Sequence, residues 1–208
     1  THSIDFTAML NTFKEIPRGD LVLLHACCHN PSGADLTPAQ WDQVADVLEA
    51  RGIIPFVDMA YQGFGEGLEE DAYGLRMLSA RLPEVIIATS FSKNFGLYRE
   101  RAAALSLVFA DSQQADAGFS QVLNVARAIY SMPPAHGSTI VDIILHSDEL
   151  TQLWHSELTQ MRERIAGLRV QLVDSLSRLQ QARDFSFIAR ERGMFSFLGL
   201  TVEQVHKL

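Results

Sequence analysis

Val85-Ile86-Ile87-Ala88-Thr89 runs directly into Ser90-Phe91-Ser92-Lys93-Asn94-Phe95-Gly96-Leu97. The first five residues are short, apolar and β-branched, the pattern of a buried strand. The next eight combine small hydroxyl residues, one lysine and a glycine, which is the composition of a loop. An amine just past a strand end is placed to reach a ligand. It forms a Schiff base with a carbonyl if its surroundings lower its pKa. A solvated loop lysine has the same local sequence, so Lys93 by itself decides little.

Two similar junctions lie upstream. Leu21 to Ala26 is an apolar run broken only by His25, as expected of a strand covered on both faces. His29-Asn30-Pro31-Ser32-Gly33 follows as a turn, and Pro31 admits a cis bond that would fix the Asn30 side chain toward the sheet end. Ile53 to Val57 is the next strand, ending at Asp58-Met59-Ala60-Tyr61. A carboxylate at the end of a buried strand needs a cation or donors. A helix cap, a loop brace or the protonated ring nitrogen of a cofactor would each satisfy Asp58.

Helical patterns separate these strands. Thr37-Pro38-Ala39-Gln40 supplies an N-cap, a first-turn proline and a capping-box glutamine. Trp41, Val44, Ala45, Val47 and Leu48 form the stripe that follows, and Gly52 closes it. Leu75, Met77, Leu78 and Leu82 predict a helix ending before Pro83, and Ala102 to Phe109 a fourth strand. Strand-helix-strand order implies an α/β fold with a parallel sheet, whose ligands gather at the carboxyl ends of its strands. Arg101, just before the fourth strand, would give a phosphate fork beside Ser90 and Ser92, although for the arginine taken alone a surface salt bridge is the simpler use.

The second half is mostly helical. Helices are expected from Phe119 to Tyr130, where Arg127 reads as solvent-facing, and from His136 to Leu145. Leu150, Leu153, Trp154, Leu158, Met161, Ile165, Leu168, Leu172, Leu176 and Leu179 step by threes and fours, describing one long helix able to bridge two domains. Phe185 to Ala189 and Met194 to Leu198 read as strands of another sheet.

Composition narrows the function classes. Among 208 residues, 17 Lys+Arg stand against 25 Asp+Glu, for a net charge of −8. That balance argues against a general nucleic-acid binder. No apolar run approaches the roughly 20 residues that span a bilayer, and no signal segment is visible. Cys27 and Cys28 are adjacent; a vicinal bridge would be strained, so they read as free thiols suited to a reducing cytoplasm. His25 and His29 read as strand and loop histidines, and no metal site is expected. The chain starts at Thr1 without methionine and stops within Val202 to Leu208, the pattern of a starting helix. It therefore reads as an internal piece of a longer protein.

Taken in order, Asn30-Pro31-Ser32-Gly33, Asp58-Met59-Ala60-Tyr61, Ser90 to Gly96 and Glu100-Arg101 resemble class I PLP-dependent aminotransferases. The bacterial aspartate/aromatic branch is the most similar, through His29 to Thr37, Tyr130-Ser131-Met132-Pro133-Pro134-Ala135-His136-Gly137 and Met194 to Leu200. The resemblance covers essentially the whole chain. It implies fold type I: residues 1–147 as part of the large PLP-binding domain with a mostly parallel sheet, 148–182 as the interdomain helix, and 183–208 as the start of an α+β small domain.

The resemblance also implies roles. Lys93 would carry pyridoxal 5'-phosphate as a Schiff base and move the substrate proton. Asp58 would keep the ring nitrogen protonated, and Asn30 and Tyr61 would donate to the phenolic oxygen. Ser90, Ser92 and Arg101 would hold the phosphate. Arg127 would reach into the neighbouring site of a homodimer to bind a distal carboxylate, and Asn30 would also border the substrate. The implied activity is amino transfer between aspartate, or an aromatic amino acid, and 2-oxoglutarate. The alternatives are a dedicated aromatic-amino-acid aminotransferase and a truncated, non-catalytic PLP-binding or interaction module.

Three departures from the family pattern stand out: Ser32 for threonine, Ala102-Ala103 for Val-Gly, and Met132 for a small polar residue. Against that pattern the chain also lacks N-terminal segments that complete the phosphate cup and a C-terminal arginine for the substrate α-carboxylate. On its own it would be inactive.

Overall fold

Thr37 caps α2 (Pro38–Arg51) as its sequence predicts: its hydroxyl accepts from the Gln40 N–H, and the Gln40 side chain accepts from the Thr37 N–H. The buried stripe Trp41, Val44, Ala45 and Leu48 lays this helix on a four-stranded sheet. Each such large aliphatic side chain contributes about 1.5–3 kcal/mol by leaving water. The computed structural model describes residues 2–179 and 183–207.

The strands are β1 (Leu21–His25), β2 (Ile54–Met59), β3 (Val85–Ser90) and β4 (Ala103–Val108), in spatial order β1-β2-β3-β4. β1, β2 and β3 are parallel, with His25 beside Asp58 and Asp58 beside Ala88. Their connections carry α2 and α3 (Tyr73–Arg81), as parallel crossovers require. α3 stops where its sequence predicts, with Leu82 extended before Pro83. β4 returns from β3 without a helix and is antiparallel, Ser90 pairing with Ala103. The sheet is thus mostly parallel, as expected, with β4 as its one antiparallel strand among the described residues.

An unforeseen first helix, α1 (Phe6–Glu15), starts at Asp5, whose carboxylate accepts from the Ala8 N–H, and buries Phe13 in the core. Along β1 and β2 burial alternates, with Val22, Leu24, Val57 and Met59 inward. On the opposite face Leu21 and Leu23 are 55% and 60% exposed. The expectation that β1 is covered on both faces is thus corrected: among the described residues only one face is covered.

Beyond the sheet, α4 (Ser112–Ile129) buries none of its residues, and α5 (His136–Leu145) buries Gly137 and Val141. α6 (Asp148–Arg178) is the long helix of the leucine pattern, capped by Ser147. The expected strands Phe185–Ala189 and Met194–Leu198 are not present. Residues Phe187–Arg190 form a single helical turn, α7, and 194–200 pair with no strand. The Ile188 and Phe195 carbonyls are met instead by Arg169 of α6. A last turn, α8 (Val202–Val205), has its own capping box at Thr201, while Leu208 lies outside the described residues. Among the described residues, no helix is long and apolar enough to cross a membrane.

Candidate active site

Parallel register brings three loops to one edge of the sheet. β1 ends at His25 beside Asp58, and the Ala26 N–H donates to the Asp58 carbonyl at 2.9 Å. β3 ends beside them and delivers Ser90, Ser92 and Lys93. The Lys93 ammonium stands 4.4 Å from the centroid of the Tyr61 ring, a contact driven by the quadrupole of the phenol. Tyr61 is buried, and its ring meets Phe195 edge-on at 5.8 Å. Asp58 is half-buried, and among the described residues neither its carboxylate nor the Lys93 amine has an ion-pair partner.

Antiparallel pairing returns the chain from Phe91, whose N–H meets the Ala102 carbonyl at 3.1 Å, so that Arg101 lies next to the Ser90–Ser92 turn. Arg101 adopts φ +54° and donates to the Tyr98 carbonyl at 2.9 Å. Ala102, one of the departures, is buried against Gly137 at the start of α5. The Ser90 hydroxyl accepts from the Ser92 N–H at 3.3 Å. Asn30 is exposed on the loop after β1, and the Asn30–Pro31 bond is cis. Arg127 is exposed in the last turn of α4, and no hydrogen bond or ion pair joins it to the other site residues among those described.

The loops have supports that composition did not reveal. The Asp35 carboxylate accepts from the N–H groups of Cys28 at 2.6 Å and His29 at 2.9 Å, fixing the turn before Asn30. Burial pushes Asp35 above the usual carboxylate range, and those two donors pull it back. Asp71 accepts from Gly63, Gly65 and Glu66 and so shapes the loop after Tyr61. Asp-rich turn sequences give a weak local signal for such braces. The donors from α6 give none. Trp154 donates to the Asn94 carbonyl at 2.7 Å and Arg162 to the Gly63 carbonyl at 3.2 Å.

Among the described residues, one group of side chains comes close enough to consider as a metal centre, and the histidines are not part of it. The His25 and His29 rings lie 4.6 Å apart, and the His29 Nδ1 meets the Ser32 hydroxyl at 2.7 Å. Burial lowers the His29 pKa, and His25 adds to the effect. The Cys27 and Cys28 thiols and an Asp71 oxygen fall within 4.8 Å of one another, but that carboxylate already accepts three N–H groups. Both cysteines are free and buried. The Cys28 hydrogen bond and then burial hold the Cys27 thiol far above its ordinary pKa, which makes it a poor nucleophile.

A groove of about 630 Å³ opens beside Lys93, lined by Asn94, Phe95, Trp154, Met161, Ile165 and Met194. Asn94 is 3% exposed, and its Oδ1 has no partner among the described residues. An amine, an unpaired carboxylate, two serine hydroxyls and an arginine around one strand edge make a donor set that fits an anionic, carbonyl-bearing cofactor with a basic ring nitrogen.

This edge, on a mostly parallel α/β sheet, defines a class, and comparison with known proteins agrees. The family described as "Aminotransferase class I and II" matches residues 1–208, and the chain belongs to it. It is 51% identical to an aspartate aminotransferase of Escherichia coli (strain K12) over 100% of its own length and 52% of that protein's. It is 47% identical to an aromatic-amino-acid aminotransferase of Pseudomonas aeruginosa (strain PAO1), over 99% of this chain and 51% of that one. A crystal structure of the Burkholderia pseudomallei aromatic-amino-acid aminotransferase covalently bound to pyridoxal phosphate superimposes with a TM-score of 0.96 at 47% identity, covering 99% of this chain and 51% of that one. The chain thus spans about half the length of the curated relatives it matches.

Proposed function

We propose that the protein carrying this chain is a pyridoxal-phosphate-dependent aminotransferase that exchanges the amino group of aspartate, or of an aromatic amino acid, with 2-oxoglutarate. The observation that supports this most is the Lys93 amine over the Tyr61 ring, at the same sheet edge as the unpaired Asp58 carboxylate. The cofactor, when bound, supplies an electron sink for the charge that develops at the substrate Cα.

The chain's own groups do the rest. Lys93 holds the cofactor through its Nζ and, once displaced, carries the Cα proton. Asp58 pairs with the ring nitrogen and keeps its proton in place. Asn30 and the Tyr61 hydroxyl donate to the phenolic oxygen and favour its ionised form. Ser90, Ser92 and Arg101 would hold the phosphate, the guanidinium supplying a charged donor. Arg127 crosses to the neighbouring site of a homodimer and binds the distal carboxylate, while Asn30 borders the substrate.

The same reading assigns residues 1–147 to the cofactor domain, 148–182 to the interdomain helix and 183–208 to the start of the small domain. Residues 180–182, where the last boundary falls, lie outside the described residues. The reading places the enzyme in the cytoplasm. It involves no metal, nucleic acid or membrane.

Borohydride reduction followed by peptide mapping tests the assignment. A pyridoxyl label on Lys93, lost in Lys93→Ala, is expected, and an unlabelled Lys93 peptide sinks it. The relatives include both aspartate and aromatic-amino-acid enzymes, so an aromatic preference is the second reading. Parallel rates with aspartate and phenylalanine separate the two. The 208-residue chain alone is expected not to turn over, as a non-catalytic piece would not; turnover by the pure chain refutes that.

A further inference from the structure

Arg169 is a charged residue in the middle of α6, yet only 9% exposed. Its guanidinium spends its donors on the backbone of residues 188–195. Nε and Nη2 reach the Gly193 carbonyl at 3.2 and 2.7 Å, and Nη1 reaches that of Ile188 at 3.2 Å. Nη2 also donates to the Phe195 carbonyl. Glu191 lies 3.6 Å from Nη1 and accepts from the Ser196 hydroxyl. Burial alone disfavours the charge, and Glu191 opposes that loss. A guanidinium satisfied by carbonyls of one segment fastens that segment to the helix, because each unmade bond would leave a buried group unpaired.

The fastened segment lies across the site. The Arg192 N–H donates to the Gly33 carbonyl at 2.8 Å, three residues beyond Asn30. Gly193 sits on Cys28, where an added Cβ would come within 2.4 Å of the cysteine Cβ. Phe195 presses its ring edge on Tyr61, the ring beneath the Lys93 amine. A continuous series of contacts therefore runs from Arg169 through Phe195 to Tyr61 and Lys93, with a branch to the Asn30 loop.

We propose that Arg169 is a positioning residue of the active site: by fastening residues 188–195 it holds the Tyr61 ring against Lys93 and steadies the loop that carries Asn30. The inference rests on the cofactor reading proposed above. Tyr61 and Asn30 donate to the cofactor's phenolic oxygen in that reading and so favour loss of the proton shared with the lysine nitrogen. Loosening them must raise the pH at which that proton leaves.

The test is a visible-absorbance pH titration of the cofactor bound to the full-length protein, run beside thermal melts. Arg169→Met and Arg169→Lys are expected to move the midpoint upward by about half a unit or more, since Met donates nothing and the single ammonium of Lys cannot span the carbonyls that Nε, Nη1 and Nη2 reach separately. Phe195→Leu, which leaves the fastening intact, should move it the same way and keeps the test open if the Arg169 variants do not fold. Leu48→Ala, in α2 away from this segment, should lower the melting temperature and leave the midpoint in place. Midpoints unchanged or lowered in the Arg169 and Phe195 variants overturn the inference, as does an equal shift in Leu48→Ala. A wild-type protein with no cofactor band linked to Lys93 overturns the proposed function, and this inference with it.

Discussion

The Trp154 indole N–H donates to the carbonyl of Asn94 across sixty residues of sequence, at 2.7 Å. The same indole stacks on Phe95 with centroids 4.3 Å apart. Trp154 thus holds the loop that carries Lys93 in two ways, one polar and one apolar. Trp154→Phe keeps the stack and leaves the Asn94 carbonyl without its donor, so a loss of about 1–2 kcal/mol is expected. Trp154→Ala removes both and should cost about 3 kcal/mol or more. Urea melts of the two variants check the order; equal losses would show that the hydrogen bond contributes nothing beyond packing.

Two glycines with left-handed backbones separate conformational from steric cost. Gly96 has φ +67° with nothing within 4 Å of an added Cβ, whereas Gly193 has φ +74° with Cys28 in the way. Gly96→Ala should cost about 1 kcal/mol from the backbone alone. Gly193→Ala should lose a further 1–3 kcal/mol or so through overpacking. Comparable melting temperatures for the two variants would contradict the close approach of residue 193 to Cys28.

His29 gives the fold a pH dependence of predictable sign. Its folded pKa lies below the ordinary value, chiefly through burial. As pH falls, the unfolded chain takes the proton first, at about 6.5. Stability from this group is therefore whole above that pH and declines below it, by no more than about 1 kcal/mol for a side chain still partly in water. Asp35, raised by burial, works in the opposite sense, since the folded state takes its proton more readily. His29→Gln should flatten the fall in melting temperature between about pH 8 and 5.5. Parallel curves for the variant and wild type would exclude the imidazole as the cause.

Much of this was readable from sequence because it is local. The Thr37–Gln40 capping box, the stop before Pro83 and the leucine steps of α6 each depend on residues within a turn or two of one another. The strand-end positions of Asp58 and Ser90 follow from strand patterns, and parallel register then brings them together. Phe185–Ala189 and Met194–Leu198 misled because short apolar runs resemble strands, while one carbonyl of each, Ile188 and Phe195, is met by Arg169 from α6. Nothing near those residues announces that partner. The direction of β4 was also hidden, since it depends on a pairing rather than on composition. Asp71 reads as one acid in Glu69-Glu70-Asp71, and only folding shows which of the three turns inward to brace the loop after Tyr61.

α6 grips each of the three strand-end loops from one side. Trp154 takes the loop after β3, Arg162 the loop after β2, and Arg169 the segment lying over the loop after β1. Steps of eight and seven residues separate them, each about two helical turns, which is why all three face the same way. Inserting or deleting one residue between any two would swing one grip about 100° from the others. The count from Trp154 to Arg169 therefore matters in its own right: in this stretch the length of the sequence carries as much information as its letters.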